Sequence, residues 1–143
     1  MEWKIKTFDE LTTSELFEIL KSRAEIFVKE QKISYVAPDD VDLKSFHIFA
    51  NENNRVQAYL RAFFVSEDTI KLGRVLTLQH GKGTGTQLMN FAMNELKSKT
   101  NCKKIVMDAQ KHAVPFYERL GFKVTSEEYL EAGIIHVDME KIM

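Results

Sequence analysis

The chain has 143 residues, 44% of them hydrophobic and 29% charged, with a formal net charge of -1. That length suits one domain over 1–143 with its own core, and the composition is that of an ordinary soluble globule. Near-neutral charge argues against a dedicated nucleic-acid binder, and no apolar run approaches the roughly 20 residues needed to cross a membrane. The opening "MEWKIKTFDE" is charged and amphipathic, unlike a signal peptide. Cys102 is the only cysteine, so neither an intramolecular disulfide nor a cysteine zinc site can form. A reducing cytoplasm is the simplest setting, and Cys102, in the polar "SKTNCKK", reads as an incidental small residue.

In chain order, "EWKIKTF" alternates and predicts a first strand. "TTSELFEILKSRAEIFVKEQ" predicts a helix capped by Thr13 or Ser14, with Leu16, Leu20, Ala24, Phe27 and Val28 on its buried face. "KISYVAPDDVDLKSF" is an irregular segment with room for a helical turn. "FHIFANENNRVQAYLRAFFV" predicts two strands broken at Asn51 to Asn54, and "TIKLGRVLTL" pairs back across "SEDT". "GTQLMNFAMNELKSK" predicts a helix that buries Leu88, Met89, Ala92, Met93 and Leu96. "KKIVMDA" is a short strand. "AVPFYERL" is a short helix with Pro115 in its first turn, ended by Gly121. "FKVTSEEYL" and "IIHVDMEKI" form a last strand pair joined through "EAG". A long antiparallel meander thus precedes a strand–helix–strand crossover, a mixed α/β layer architecture.

Between the third strand of the meander and the long helix lie Gly81, Gly83 and Gly85, more glycine than a tight turn needs. A P-loop requires glycine where Leu76 stands and Ser or Thr where Gly83 stands. A dinucleotide fingerprint requires Gly or Ala at Thr86, and its usual place, the first crossover of a parallel sheet, is missing. A pyrophosphate cradle remains, in which the amides of Gly81, Lys82, Gly83, Thr84, Gly85 and Thr86 face an anion at a helix N-terminus.

"HGKGTGTQLM" resembles motif A of the GNAT acyltransferases, (Arg/Gln)-x-x-G-x-(G/A), and "AVPFYERLGF" resembles their motif B. The strand order is similar to theirs over the full chain. "RAEIFVKEQKISYVAPDDVDLKSFHI", "AYLRAF", "LGRV", "DAQKHAVPFYERLGF" and "YLEAGIIHVDM" together resemble the ElaA-like branch. Two departures stand out: His80 occupies the motif position of Arg or Gln, and the approach from Val75 to Gly81 is shorter than the family's usual loop.

The resemblance implies a mostly antiparallel twisted sheet of six to seven strands, flanked by helices and splayed where CoA enters. It implies transfer of an acetyl group from acetyl-CoA, the cosubstrate, to a primary amine of a small molecule or peptide, by direct attack in a ternary complex. Leu76 and Thr77 would hydrogen-bond the pantetheine through their backbones, Gln110 through its side chain, and Phe116 and His80 would border the cofactor. Tyr117 would protonate the leaving thiolate. Glu30 and His136 are the leading candidates for the base, with Asp42, His47 and a water chain behind them.

His47 and His136, each taken separately, read first as hydrogen-bonded, half-buried strand residues. Arg61 and Arg74, which with Arg23 are candidates for an anion site, interrupt apolar strands, which is costly without partners. They would either pair with Glu30, Asp42 or Glu131 or bind an anionic group of the acceptor. A pocket with both charge signs would suit an amino-acid-like or peptide amine. No metal site is expected, because His47, His80, His112 and His136 are not spaced as ligand pairs. The alternatives are a non-catalytic acyl-CoA binding module and an unrelated nucleotide enzyme.

Overall fold

The computed structural model describes residues 1–30 and 38–143, with the backbone alone at residues 28–30. Strands β1 (Glu2–Thr7), β2 (Phe46–Glu52), β3 (Arg55–Phe64) and β4 (Thr69–Thr77) are antiparallel neighbours. Helix α3 (Thr84–Lys99) carries the chain across to β5 (Lys104–Gln110), which lies parallel to β4. A single turn of 3₁₀ helix and the short α4 (Val114–Arg119) follow, with Pro115 in the first turn as expected. Strand β8 (Ile134–Ile142) pairs antiparallel with β5, and β6 (Lys123–Val124) and β7 (Tyr129–Glu131) pair with β8. The sheet is eight-stranded, in the order β1-β2-β3-β4-β5-β8-β6, with β7 also on β8.

Two sequence expectations are corrected in the N-terminal helix. Helix α1 (Thr13–Ala24) is capped by Thr12, one residue before Thr13. The Glu15 amide donates to Thr12 Oγ1 at 3.0 Å, and the Thr12 amide donates to Glu15 Oε1 at 2.8 Å, a reciprocal capping box. The buried face carries Glu15, Ile19, Ser22 and Arg23, and continues through Ile26 and Phe27 in the π-helical segment Glu25–Glu30. Leu16 and Leu20 are only partly buried and Ala24 is exposed, while the side chain of Val28 lies outside the described residues. Hydropathy places Ser22 and Arg23 in solvent. Here Ser22 donates to the Val56 carbonyl at 3.0 Å and Arg23 pairs with Asp42, so both are buried polar groups with partners.

A third correction concerns the expected strand "FKVTSEEYL". It is two pieces on β8, because residues between Val124 and Tyr129 bulge away from the ladder while Thr125 and Ser126 still bond Asp138 at 2.9 and 2.8 Å.

Apolar residues fill both faces of the sheet. On one face Leu60, Ile70, Leu72, Ile105 and Met139 pack with Leu88, Met89, Ala92 and Leu96 of α3; Met93 is only partly buried. On the other, Phe49, Tyr59 and Leu76 pack with Ile19, Ile26 and Phe27. Leu72 and Leu76 are an even number of residues apart and should share a face. They do not, because Tyr59 pairs with Leu76 while Arg61 pairs with Gly73, so Arg74 and Val75 together oppose Leu60. This is a β-bulge, and Arg74 sits in it at φ 54, a left-handed conformation that side chains rarely adopt.

The bulge lies where the sheet opens. Pairing of β4 with β5 runs from Thr69–Lys104 to Leu72–Met107 and stops, although β4 continues to Thr77 and β5 to Gln110. The turn between β7 and β8 has both Ala132 and Gly133 at positive φ, as a type I′ hairpin turn requires. Ala132→Asn should therefore raise the free energy of unfolding by about 1 kcal/mol, read as a later urea midpoint at unchanged slope.

Candidate active site

The opening between β4 and β5 forms a cleft of about 990 Å³. One mouth, on the α3 face, is bordered by the glycine loop and α4. Gly81 and Gly83 have φ of 76 and 74, so a side chain at either would strain the backbone. Gly83 is the N-cap of α3, and no side chain caps that helix. The first-turn amides are thus left to the cleft, with the positive end of a sixteen-residue helix behind them. Gly85 serves a different purpose: a Cβ there would lie 3.3 Å from Cζ of Phe116. Glycine at this position lets α4 close on the start of α3. Thr84 is buried, while His80, Lys82 and Thr86 are exposed.

Along the cleft wall, the Leu76 side chain is buried in the α1 core, and Thr77 follows at the free end of β4. Gln110 ends β5, one residue beyond the expected "KKIVMDA", and its Oε1 lies 2.6 Å from Nε2 of His112. Tyr117 reaches the cleft from α4 between Phe116 and Phe122, with edge-to-face ring contacts at 5.1 and 6.0 Å. Its hydroxyl makes no hydrogen bond among the described residues, and burial pushes its pKa up to about 12.

The other mouth lies on the α1 face and is polar. His136 pairs with Gln110 across β5 and β8, and its ring stacks on Tyr129 at 6.1 Å. Nδ1 of His136 lies 2.8 Å from the Ile134 carbonyl, so Nδ1 carries the proton and Nε2 faces Glu131 Oε2 at 3.5 Å. Asp108 is held at 2.9 Å by Lys71. Glu30 ends the π-helical segment, and its side chain lies outside the described residues. His47 is buried away from the cleft, with Nδ1 2.8 Å from the Tyr59 hydroxyl and Nε2 2.9 Å from the Asp42 carbonyl; burial lowers its pKa. Cys102 is a buried core residue, also away from the cleft.

Arginines fill the space beside this mouth. Arg23 Nη1 lies 2.8 Å from Asp42 Oδ1, and Arg61 Nη1 lies 3.0 Å from the same oxygen. Arg61 also forks onto Asp39 at 2.6 and 3.2 Å. Arg74 Nη2 reaches Asp39 Oδ2 at 3.6 Å, beyond hydrogen-bond distance. The expected partner Asp42 is present, but Glu131 faces His136, not an arginine.

The sequence profile of the acetyltransferase (GNAT) domain matches residues 18–143, and the splayed strands β4 and β5, the glycine loop and Tyr-bearing α4 lie within that span. The chain belongs to the GNAT acetyltransferase family. Within it the chain is ElaA-like. Protein ElaA of Escherichia coli is 31% identical over 99% of this chain and 96% of its own. The crystal structure of Escherichia coli ElaA superposes with a TM-score of 0.90 at 30% identity, covering 98% of each chain. An acyl-CoA N-acyltransferase from Pseudomonas aeruginosa gives 0.91 at 33% identity over 99% of both. An aminoglycoside 6'-N-acetyltransferase, in a complex with coenzyme A, shares the fold alone, with a TM-score of 0.71 at 13% identity over 97% of this chain and 96% of its own.

Three features of this GNAT chain escape sequence reasoning. Asp39 reads as a turn residue in "PDD", yet it is the carboxylate on which Arg61 forks and towards which Arg74 points. The bulge at Arg74 carries no glycine signal at its own position, although Gly73 beside it is a usable hint. The contact of Gly85 with Phe116 joins residues far apart in the chain and has no local signature.

Proposed function

We propose that residues 1–143 act as one N-acetyltransferase domain that moves an acetyl group from acetyl-CoA to a primary amine within a ternary complex. The observation that carries this reading is the cleft itself: strands unpair beyond Leu72 and Met107, opening a slot from the uncapped N-terminus of α3 on one face to a polar mouth on the other. A slot through a sheet separates two substrates and lets them meet in the middle.

The amides of Gly81 to Thr86 would hold the pyrophosphate, with nothing within 4 Å of a Cβ direction at Gly81 or Gly83. Leu76 and Thr77 offer unpaired strand edge to the pantetheine amides, and Gln110 and Phe116 border it from the opposite wall. A thioester brings an activated carbonyl. As an amine attacks it, a C–N bond forms and the C–S bond breaks, and a backbone N–H of β4 would stabilise the oxyanion in between. Tyr117 would give its proton to the departing thiolate, while Nε2 of His136, or Glu30, takes a proton from the ammonium.

Acetyl-CoA at a hundred times its dissociation constant should stabilise the fold by about 2.7 kcal/mol, seen as a rise in melting temperature that ATP does not reproduce. Release of free thiol with a primary amine should accompany it. Stabilisation without thiol release over a broad amine panel would leave an acyl-CoA binding module, and stabilisation by ATP but not by acetyl-CoA would sink both.

A further inference from the structure

Among the described residues, Arg23, Arg61 and Arg74 have only Asp39 and Asp42 within ion-pair distance. Arg23 and Arg61 take the short contacts, and Arg74 is left with the 3.6 Å approach to Asp39. Its Nε is buried with no hydrogen-bond partner among the described residues. Burial and the neighbouring Arg61 and Arg23 charges all work against its own charge. A guanidinium so placed shares its one counter-ion with Arg61, which holds it far more closely.

The backbone points the same way. Arg74 holds φ 54 inside the bulge, a conformation that costs about 1–2 kcal/mol for a residue with a side chain. Glycine would relieve it. Bulges beside active sites commonly re-aim a side chain, and this one lies at the apex of the slot, where β4 leaves β5, with Arg61 and Arg74 both on the cleft wall.

We propose that the acceptor amine carries a carboxylate, and that Arg74, with Arg61 beside it, binds that group at the apex of the slot. The proposal rests on the acetyl-transfer reading for the identity of the amine, but not for the anion site. Among the described residues, three arginines over two aspartates leave an excess of one positive charge, which a single carboxylate balances. A phosphate monoester, at about -1.5 to -2, would overshoot and crowd Asp39. Planar bidentate pairing also favours a carboxylate on a guanidinium fork. Glu131 and Asp108 on the same mouth supply the opposite sign for the ammonium end of such a molecule.

The first test needs no acetyl-CoA. The Nε–H resonance of Arg74, identified by its loss in Arg74→Gly, should shift on titration with propionate and stay fixed with propionamide at equal ionic strength. A shift absent with propionate, or matched by chloride, overturns the proposal. Arg74→Gly should melt at the same temperature as the parent or higher, since it relaxes the bulge, so lost recognition will not reflect unfolding. In turnover, the preference for an amino acid over its own carboxamide, as a ratio of kcat/KM, should fall ten- to about a hundredfold in Arg74→Gly. An unchanged ratio also overturns the proposal. If acetyl-CoA fails to bind while the propionate shift is present, the acetyl-transfer reading fails and the anion site stands.

Discussion

Tyr117→Phe is expected to lower kcat about a hundredfold, the lower end of what a positioned proton donor contributes. The dissociation constant for acetyl-CoA should change little. Phenylalanine keeps the ring between Phe116 and Phe122, so the packing that shapes the slot is retained. Stability distinguishes this role from a merely structural one. Tyr117 lines the cleft and its hydroxyl has no hydrogen-bond partner among the described residues, so its removal breaks no bond that holds the fold. The variant should therefore melt no lower than the parent. A phenol raised to about 12 by burial is also neutral across the working range, so it holds the proton that a thiolate needs at pH 7 and at pH 9 alike. Full turnover in the variant would remove Tyr117 from the mechanism, and a lower melting temperature would assign its hydroxyl to the core.

Asp42→Asn should have the largest effect on stability, a loss of about 3–5 kcal/mol in urea unfolding. Asp42 is 4% exposed and faces Arg23 at 1% and Arg61 at 6%, so the substitution leaves two buried guanidiniums short of a carboxylate. Glu128→Gln is the contrast. Its bridge to Lys111 is about half exposed on each side, and its removal should cost under about 1 kcal/mol.

The acid limb reports the same buried group. Burial alone would raise the Asp42 pKa, but the Arg23 hydrogen bond, the Asp39 amide and the neighbouring guanidiniums outweigh it, and the net shift is downward. A lowered folded pKa means stability present above the ordinary carboxylate range and lost as pH falls through the folded value. Asp42→Asn should flatten that part of the stability profile. An acid limb as steep as the parent's would mean that other carboxylates, such as Glu15 at about 2, dominate it.

Much of the fold was legible in the residues because the signals were local. Alternation found β1, and runs bounded by turn residues found β2 to β5; the expected Asn51–Asn54 break narrows to a turn at Asn53 and Asn54, both at positive φ, and the apolar stripe of α3 buried Leu88, Met89, Ala92 and Leu96. The glycine run, read by elimination and then by resemblance, lies at the open N-terminus of α3, with two of its glycines in the conformation that only glycine adopts readily. The errors arose where a polar group is buried by a distant partner. The α1 face turned by about one residue because Ser22 and Arg23 are held inside by Val56 and Asp42, and hydropathy averages cannot see those partners.

From its sequence alone this chain determines its elements, its crossover, its glycine loop and its family, since each rests on residue order over short spans or on motifs read in line. Tertiary structure alone decides where the sheet splits, which face Leu76 takes after the bulge, and how three arginines divide two aspartates. Those outcomes depend on strand register and on charges brought together from α1, β3, β4 and the Asp39–Asp42 segment. Register and charge balance are properties of the assembled sheet, and no window of sequence contains them.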